Sequence, residues 1–114
     1  MSPGPIPPVS TPPKIHEAVL GSGGTGFVEY GDEIDFAVAV TRRQAGHDVV
    51  VRGDDINMNR RLAEAIETTV GPCQRADPHR LAGPRALPHY EPHPRSRRGH
   101  TFYETPRRKA RRKR

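Results

Sequence analysis

Apolar and polar positions along the chain fall into two periodicities, and each predicts a different element. From about Asn57, the apolar residues Met58, Leu62, Ala63, Ile66 and Val70 recur at four- and three-residue steps, the spacing of one helical face. Gly71-Pro72 cannot continue the hydrogen-bond ladder, so this helix ends there. Arg60, Arg61, Glu64 and Glu67 fall on its outer face, and an amphipathic helix of this kind is suited to cover a sheet. Just upstream, Asp48 to Arg52 holds Val49, Val50 and Val51 in a row between Gly46 and Gly53, the pattern of a buried strand.

Residues 33–45 carry both periodicities. Ile34, Phe36, Val38 and Val40 alternate as a strand would, whereas Ile34, Ala37, Val38 and Ala45 share one helical face. Asp32 as N-cap, Glu33 and Asp35 in the first turn and Gly46 as a stop favour a helix over 33–45. Earlier still, Lys14 to Leu20 is a short apolar stretch, and Phe27-Val28-Glu29-Tyr30 reads as a brief strand or a lead-in. Beyond the second helix, Pro78, Pro84, Pro88, Pro92 and Pro94 exclude regular helix. Leu87 to Glu91 fits an edge strand, where flanking proline is tolerated, and Gly99 to Glu104 fits its partner, with residues 96–99 at the turn.

These elements predict an α+β fold: a small single domain with two helices and a short irregular antiparallel sheet. The predicted divisions are a disordered Pro-rich arm over 1–14, a Gly-rich linker over 15–31, the domain over 32–105 and a basic disordered tail over 106–114. Six of the first thirteen residues are proline, which favours an extended arm. Hydrophobic residues make up 32% and there is no Trp, so the core is expected to be thin. A lone cysteine, Cys73, excludes an internal disulfide and a thiolate zinc cage. No apolar run is long enough for a membrane helix, and no cleavable signal opens the chain, so no membrane partner is expected.

Charge divides the chain. Residues 75–114 carry thirteen Lys/Arg against three acids (Asp77, Glu91, Glu104), while residues 1–74 carry six against ten. Such polarity points to a polyanionic partner. The nine residues from Pro106 to Arg114 hold seven cations, Arg107, Arg108 and Lys109 among them, which would add sequence-independent affinity for phosphate backbones. Gly21-Ser22-Gly23-Gly24-Thr25-Gly26 matches the G-x-G-x-x-G of dinucleotide sites. The strand before it is short, the helix after it starts late, and no Lys-Ser/Thr follows, so a linker or turn is the better reading.

His79, His89, His93 and His100 lie within 22 residues, interleaved with Arg80, Arg85, Arg95, Arg97 and Arg98. Three readings compete. Metal binding is the weakest: Pro92 and Pro94 forbid the helix that would align His89 with His93, and Glu91 and Asp77 complete no zinc spacing. Neither a metal nor another cofactor is therefore expected. Metal-free RNA cleavage needs a base for the 2′-hydroxyl, an acid for the leaving 5′-oxygen and a cation for the phosphorane-like transition state. Histidine suits the first two roles and arginine the third. On facing strands, His89 and His100 can reach one phosphate, with Arg85, Arg95, Arg97 and Arg98 as phosphate contacts and Tyr90, Phe102 or Tyr103 as stacking platforms. The third reading is a binding or accessory surface with no chemistry.

The stretch from Ala82 to Pro92, then Gly99-His100-Thr101-Phe102-Tyr103-Glu104, resembles the terminal motif of effector modules of bacterial polymorphic toxins, His-Tyr/Phe-x-Pro followed by Gly-His-x-Phe-Tyr. The helix end Ile66 to Pro72 is similar to the region upstream in such modules. The resemblance implies a toxin-type nuclease, most often acting on RNA rather than DNA. It also implies an immunity protein as partner, and a location in the cytoplasm or secretion within a delivery system. By matching position, it makes His89 and His100 catalytic and Arg85 or Arg98 phosphate contacts.

Overall fold

A computed structural model describes residues 11–20, 27–77, 86–94 and 98–113. The element order is β1 (Lys14–Leu20), β2 (Val28–Ile34), α1 (Phe36–Gln44), β3 (Val49–Arg52), α2 (Ile56–Val70), β4 (Cys73–Ala76), β5 (His89–Pro92), β6 (Thr101–Tyr103) and β7 (Arg111–Arg112). The strands form one sheet in the order β4-β5-β6-β3-β1-β2-β7. The fold is α+β as expected, but the sheet is larger than predicted and mixed rather than antiparallel. β3 pairs antiparallel with β1 and parallel with β6, and β2 pairs parallel with β7.

The valine run occupies the middle of this sheet. Val49, Val50 and Val51 are all fully buried, because β3 is flanked on both edges and covered on both faces. A strand in that position carries apolar side chains on both faces, which explains an unbroken β-branched run. On one face Val49 and Val51 pack with Ile15, Ala39, Ala63, Ile66, Tyr90 and Tyr103, beneath α1 and α2. On the other, Val50 packs with Ala18, Val28, Leu87 and Phe102, covered by the segment around Leu87 and by Ala110. No described helix lies on this second face.

Both helices are capped by aspartate. Asp55 caps α2, its carboxylate accepting from the Asn57 and Met58 amides at 2.9 and 3.2 Å. The expected helix over 33–45 starts later. Asp32, Glu33 and Ile34 belong to β2, and Asp35 is the cap, accepting from the Val38 amide at 2.8 Å. That displacement rotates the buried stripe. Ala37, Val38 and Ala45 are exposed, and Ala39 and Arg43 face inward instead. On α2, likewise, Glu67 is not on the outer face; it is fully buried.

Three further expectations are corrected. Most of the predicted 15–31 linker is structured: β1 and β2 pair antiparallel from Ile15↔Ile34 to Leu20↔Val28. This direct antiparallel pairing is not the parallel strand–helix–strand crossover that a dinucleotide site requires. The glycine cluster 21–26 itself lies outside the described residues, as do residues 1–10 of the proline arm. β5 is internal, between β4 and β6, not an edge. Residues 106–113 of the basic tail run back along the domain. The Arg108 guanidinium donates to the Ala86 carbonyl at 2.7 Å, the Ala110 amide to Glu104 Oε2 at 2.8 Å and the Lys113 amide to the Tyr30 carbonyl at 2.8 Å. Arg111 lies over the Phe27 ring at 4.3 Å. No described helix is long and apolar enough to cross a membrane.

Candidate functional site

Strand register sets the site. His16 pairs with Val50, Val50 with Phe102, and Phe102 with His89, so these four side chains form one row across β1, β3, β6 and β5 on the helix-free face. His100, immediately before β6, lies beside that row. The His89 and His100 rings meet edge to face with centroids 4.6 Å apart, and Phe102 packs against both, at 5.4 and 5.2 Å. The two strands expected to pair do so antiparallel, and the two histidines meet.

Each imidazole has a carboxylate. The parallel register of β3 and β6 sets Val49 opposite Thr101 and brings Asp48 beside His100. Asp48 Oδ1 accepts from the His100 amide at 2.7 Å and lies 3.3 Å from His100 Nδ1. Glu91 Oε1 lies 3.5 Å from His89 Nε2. Burial holds the His89 pKa below its ordinary value, and the neighbouring His100 lowers it further; Leu87 and Glu91 oppose the shift with smaller effect. His89 is thus biased toward the neutral base. The side chains of His100 and His89 retain 25% and 17% of their accessible surface, so a ligand can reach the pair from solvent.

A buried polar scaffold beneath β6 fixes the approach to His100. Arg43 Nε donates to Glu67, and both side chains are fully buried. Thr101 Oγ1 donates to the same carboxylate at 2.8 Å. Arg43 Nη1 donates to the carbonyls of His47 and Arg98 at 2.9 and 3.0 Å, tying α1 to the turn that precedes His100. Gly99 completes the fit. Its φ is +89°, and a Cβ there would meet Arg43 Nη1 and sit 2.8 Å from the Gly46 carbonyl oxygen.

The remaining predicted site residues are dispersed. Arg98 is exposed, two residues before His100 in the chain. Arg85, Arg95 and Arg97 lie outside the described residues, as does His79. Phe102 is buried under the imidazoles, so in this conformation it supports them and offers no face to a base. Tyr90 is buried on the opposite, helix-covered face, where its hydroxyl donates to Glu64 Oε2 at 3.0 Å. Desolvation, then Glu64, push its pKa up to about 12. Tyr103 is buried on that face too. Arg107 and Arg108 line a cleft beside Tyr103, and Lys109 lines a separate one with Arg52 and Glu104.

Sequence reasoning missed Asp48, Arg43 and Glu67. For Asp48 the missing information was a parallel pairing between segments about fifty residues apart. For the ion pair, hydropathy assigns both residues to solvent. Among the described residues, no three His, Cys, Asp or Glu side chains are grouped so as to hold a metal ion. No protein-family model, curated protein or solved structure matches the chain.

Proposed function

We propose that the chain binds nucleic acid, RNA in preference to DNA, and cleaves it without a metal ion at the His89–His100 pair, as a toxin-type ribonuclease. The observation that carries this reading is the pair itself: two partly exposed imidazoles in contact on the helix-free sheet face, each beside its own carboxylate. Rings 4.6 Å apart leave no space for a phosphate between them, so the phosphodiester lies across their exposed edges. His89, held toward its neutral form, takes the proton of the 2′-hydroxyl. The 2′-oxygen attacks phosphorus, and the bond to the 5′-oxygen breaks. His100, engaged through Nδ1 by Asp48, is left with Nε2 to protonate that leaving oxygen. The products are a 2′,3′-cyclic phosphate and a free 5′-hydroxyl. Arg98, exposed two residues before His100, would offset charge on the phosphorane. A toxin of this kind would act in the cytoplasm of a target cell after delivery and would be restrained by an immunity protein.

The test is incubation of the purified chain with single-stranded RNA in EDTA. Cyclic phosphate ends are expected, with the rate lowered by about 10²–10⁴-fold in His100→Ala. Undiminished cutting by the His89→Ala/His100→Ala double variant would remove the pair from the mechanism. A second reading, binding without cleavage, is favoured by one detail. His89 Nδ1 is buried without a well-formed hydrogen bond to a described residue, and Nε2 faces Glu91. Retention of RNA with no cyclic ends would select it.

A further inference from the structure

A second cluster of cations lies away from the imidazoles. Arg60 on α2, Arg75 on β4, and Arg107 and Arg108 after β6 line a cleft of about 520 Å³, in which Asp77 is the one carboxylate among the described residues. Ile56, Pro88, Pro106 and Tyr103 supply its less polar walls. Tyr103 projects to the helix-covered side of the sheet, whereas His89 and Phe102 project to the other. The cleft and the imidazole pair therefore do not share a face.

Three of these guanidinium groups are uncommitted. Arg60, Arg75 and Arg107 make no ion pair or hydrogen bond with another described residue, whereas Arg42 pairs with Glu17, Arg43 with Glu67, Arg52 with Glu104 and Arg111 with Glu29. Arg108 is anchored through Nη1 on the Ala86 carbonyl, which holds the cleft wall in place. Burial raises the Tyr103 pKa while Arg75 and Arg60 act against the shift, so both cations lie within electrostatic reach of the phenol. Converging like charges repel, and such an arrangement is relieved when an anion enters. Guanidinium groups match phosphate oxygens in geometry and keep their charge. The volume suits a whole nucleotide rather than a bare oxyanion.

We infer that this cleft is a phosphate-binding site for a nucleotide-sized ligand, distinct from the His89–His100 pair. The phosphate can come from a free nucleotide or from the terminal nucleotide of a strand. The inference goes beyond the proposed cleavage and does not depend on it.

The experiment is a calorimetric and NMR titration of the full chain with inorganic pyrophosphate, a nucleoside 5′-monophosphate, and one oligonucleotide with and without a 5′-phosphate. Saturable binding is expected, with shifts at the Tyr103 ring and at the Nε groups of Arg60, Arg75 and Arg107. The Arg60→Gln/Arg75→Gln/Arg107→Gln variant is expected to weaken it by at least ~10-fold. The Lys14→Gln/Arg61→Gln variant, which discharges two exposed cations outside both the cleft and the basic tail, should stay within about twofold. Preference for the 5′-phosphorylated oligonucleotide identifies a strand end as the source, and preference for the monophosphate a free nucleotide. Equal losses in the cleft variant and the control variant, shifts spread over all surface arginines, or no saturation would overturn the inference. Binding unchanged in His89→Ala/His100→Ala, whether or not that variant has lost cleavage, keeps it separate from the catalytic reading.

Discussion

The two faces of the sheet spend their polar groups differently. The helix-covered face buries its charge completely: Arg43 and Glu67 are removed from water, bonded to each other and further tied by the Thr101 hydroxyl and two carbonyls. The helix-free face keeps His89, His100, Asp48 and Glu91 partly exposed, in looser contacts of 3.3 to 3.5 Å between ring and carboxylate. A fully buried ion pair is costly to break and serves to fix geometry. A half-exposed imidazole–carboxylate pair adds little stability and keeps a group able to exchange protons with a ligand. The first arrangement positions the second, because Arg43 holds the carbonyl of Arg98 and Glu67 holds the hydroxyl of Thr101, on either side of His100.

Substitutions should separate the faces by their effect on stability. Glu67→Ala strands a buried guanidinium and is expected to cost about 3–5 kcal/mol in urea unfolding. The Arg43→Met/Glu67→Leu double variant should recover most of that loss while disturbing the His100 amide resonance. A double variant no more stable than Glu67→Ala would show that the charge itself is not what is missed. Next in size, Gly99→Ala forces a side chain into a positive-φ position against Arg43 and Gly46. It is expected to cost about 1–3 kcal/mol and to displace the His100 ring signals. On the open face the expected effect is a slope rather than a loss. The folded pKa of His89 lies below the ordinary value of 6.5, so the unfolded chain binds the proton first as pH falls. The contribution of His89 to stability is full above that value and declines as pH drops toward the folded pKa. His89→Gln should flatten this part of the curve between about pH 7.5 and pH 5, and an unchanged slope would place the titration elsewhere.

Local signals were legible in the sequence and remote ones were not. The α2 stripe, its Gly71-Pro72 stop, the valine strand and the β5–β6 hairpin each follow from periodicity or turn chemistry within about twenty residues. The hairpin in turn made the meeting of His89 and His100 readable. Asp48 was hidden because its neighbour depends on β3 lying parallel to β6, and no local pattern encodes that register. Glu67 falls on the outer face by its charge alone; only its burial against Arg43 makes both positions apolar in effect. Tyr90, Phe102 and Tyr103 suit base stacking by residue type, yet their places on the internal strands β5 and β6 bury all three. The segment from Lys14 to Leu20 was too short and its glycine neighbour too prominent to read as a strand. Its pairing with β2 and β3 supplies what its own sequence lacks.

The most direct measurement follows the imidazole carbon-bound proton resonances of the protein during titration with a single-stranded oligonucleotide carrying a 2′-O-methyl group at every linkage, which cannot be cut. His89 and His100 are expected to shift together and saturate at one common affinity, with the His16 ring unmoved. Saturable binding that leaves both resonances in place would contradict a phosphodiester site on the open face.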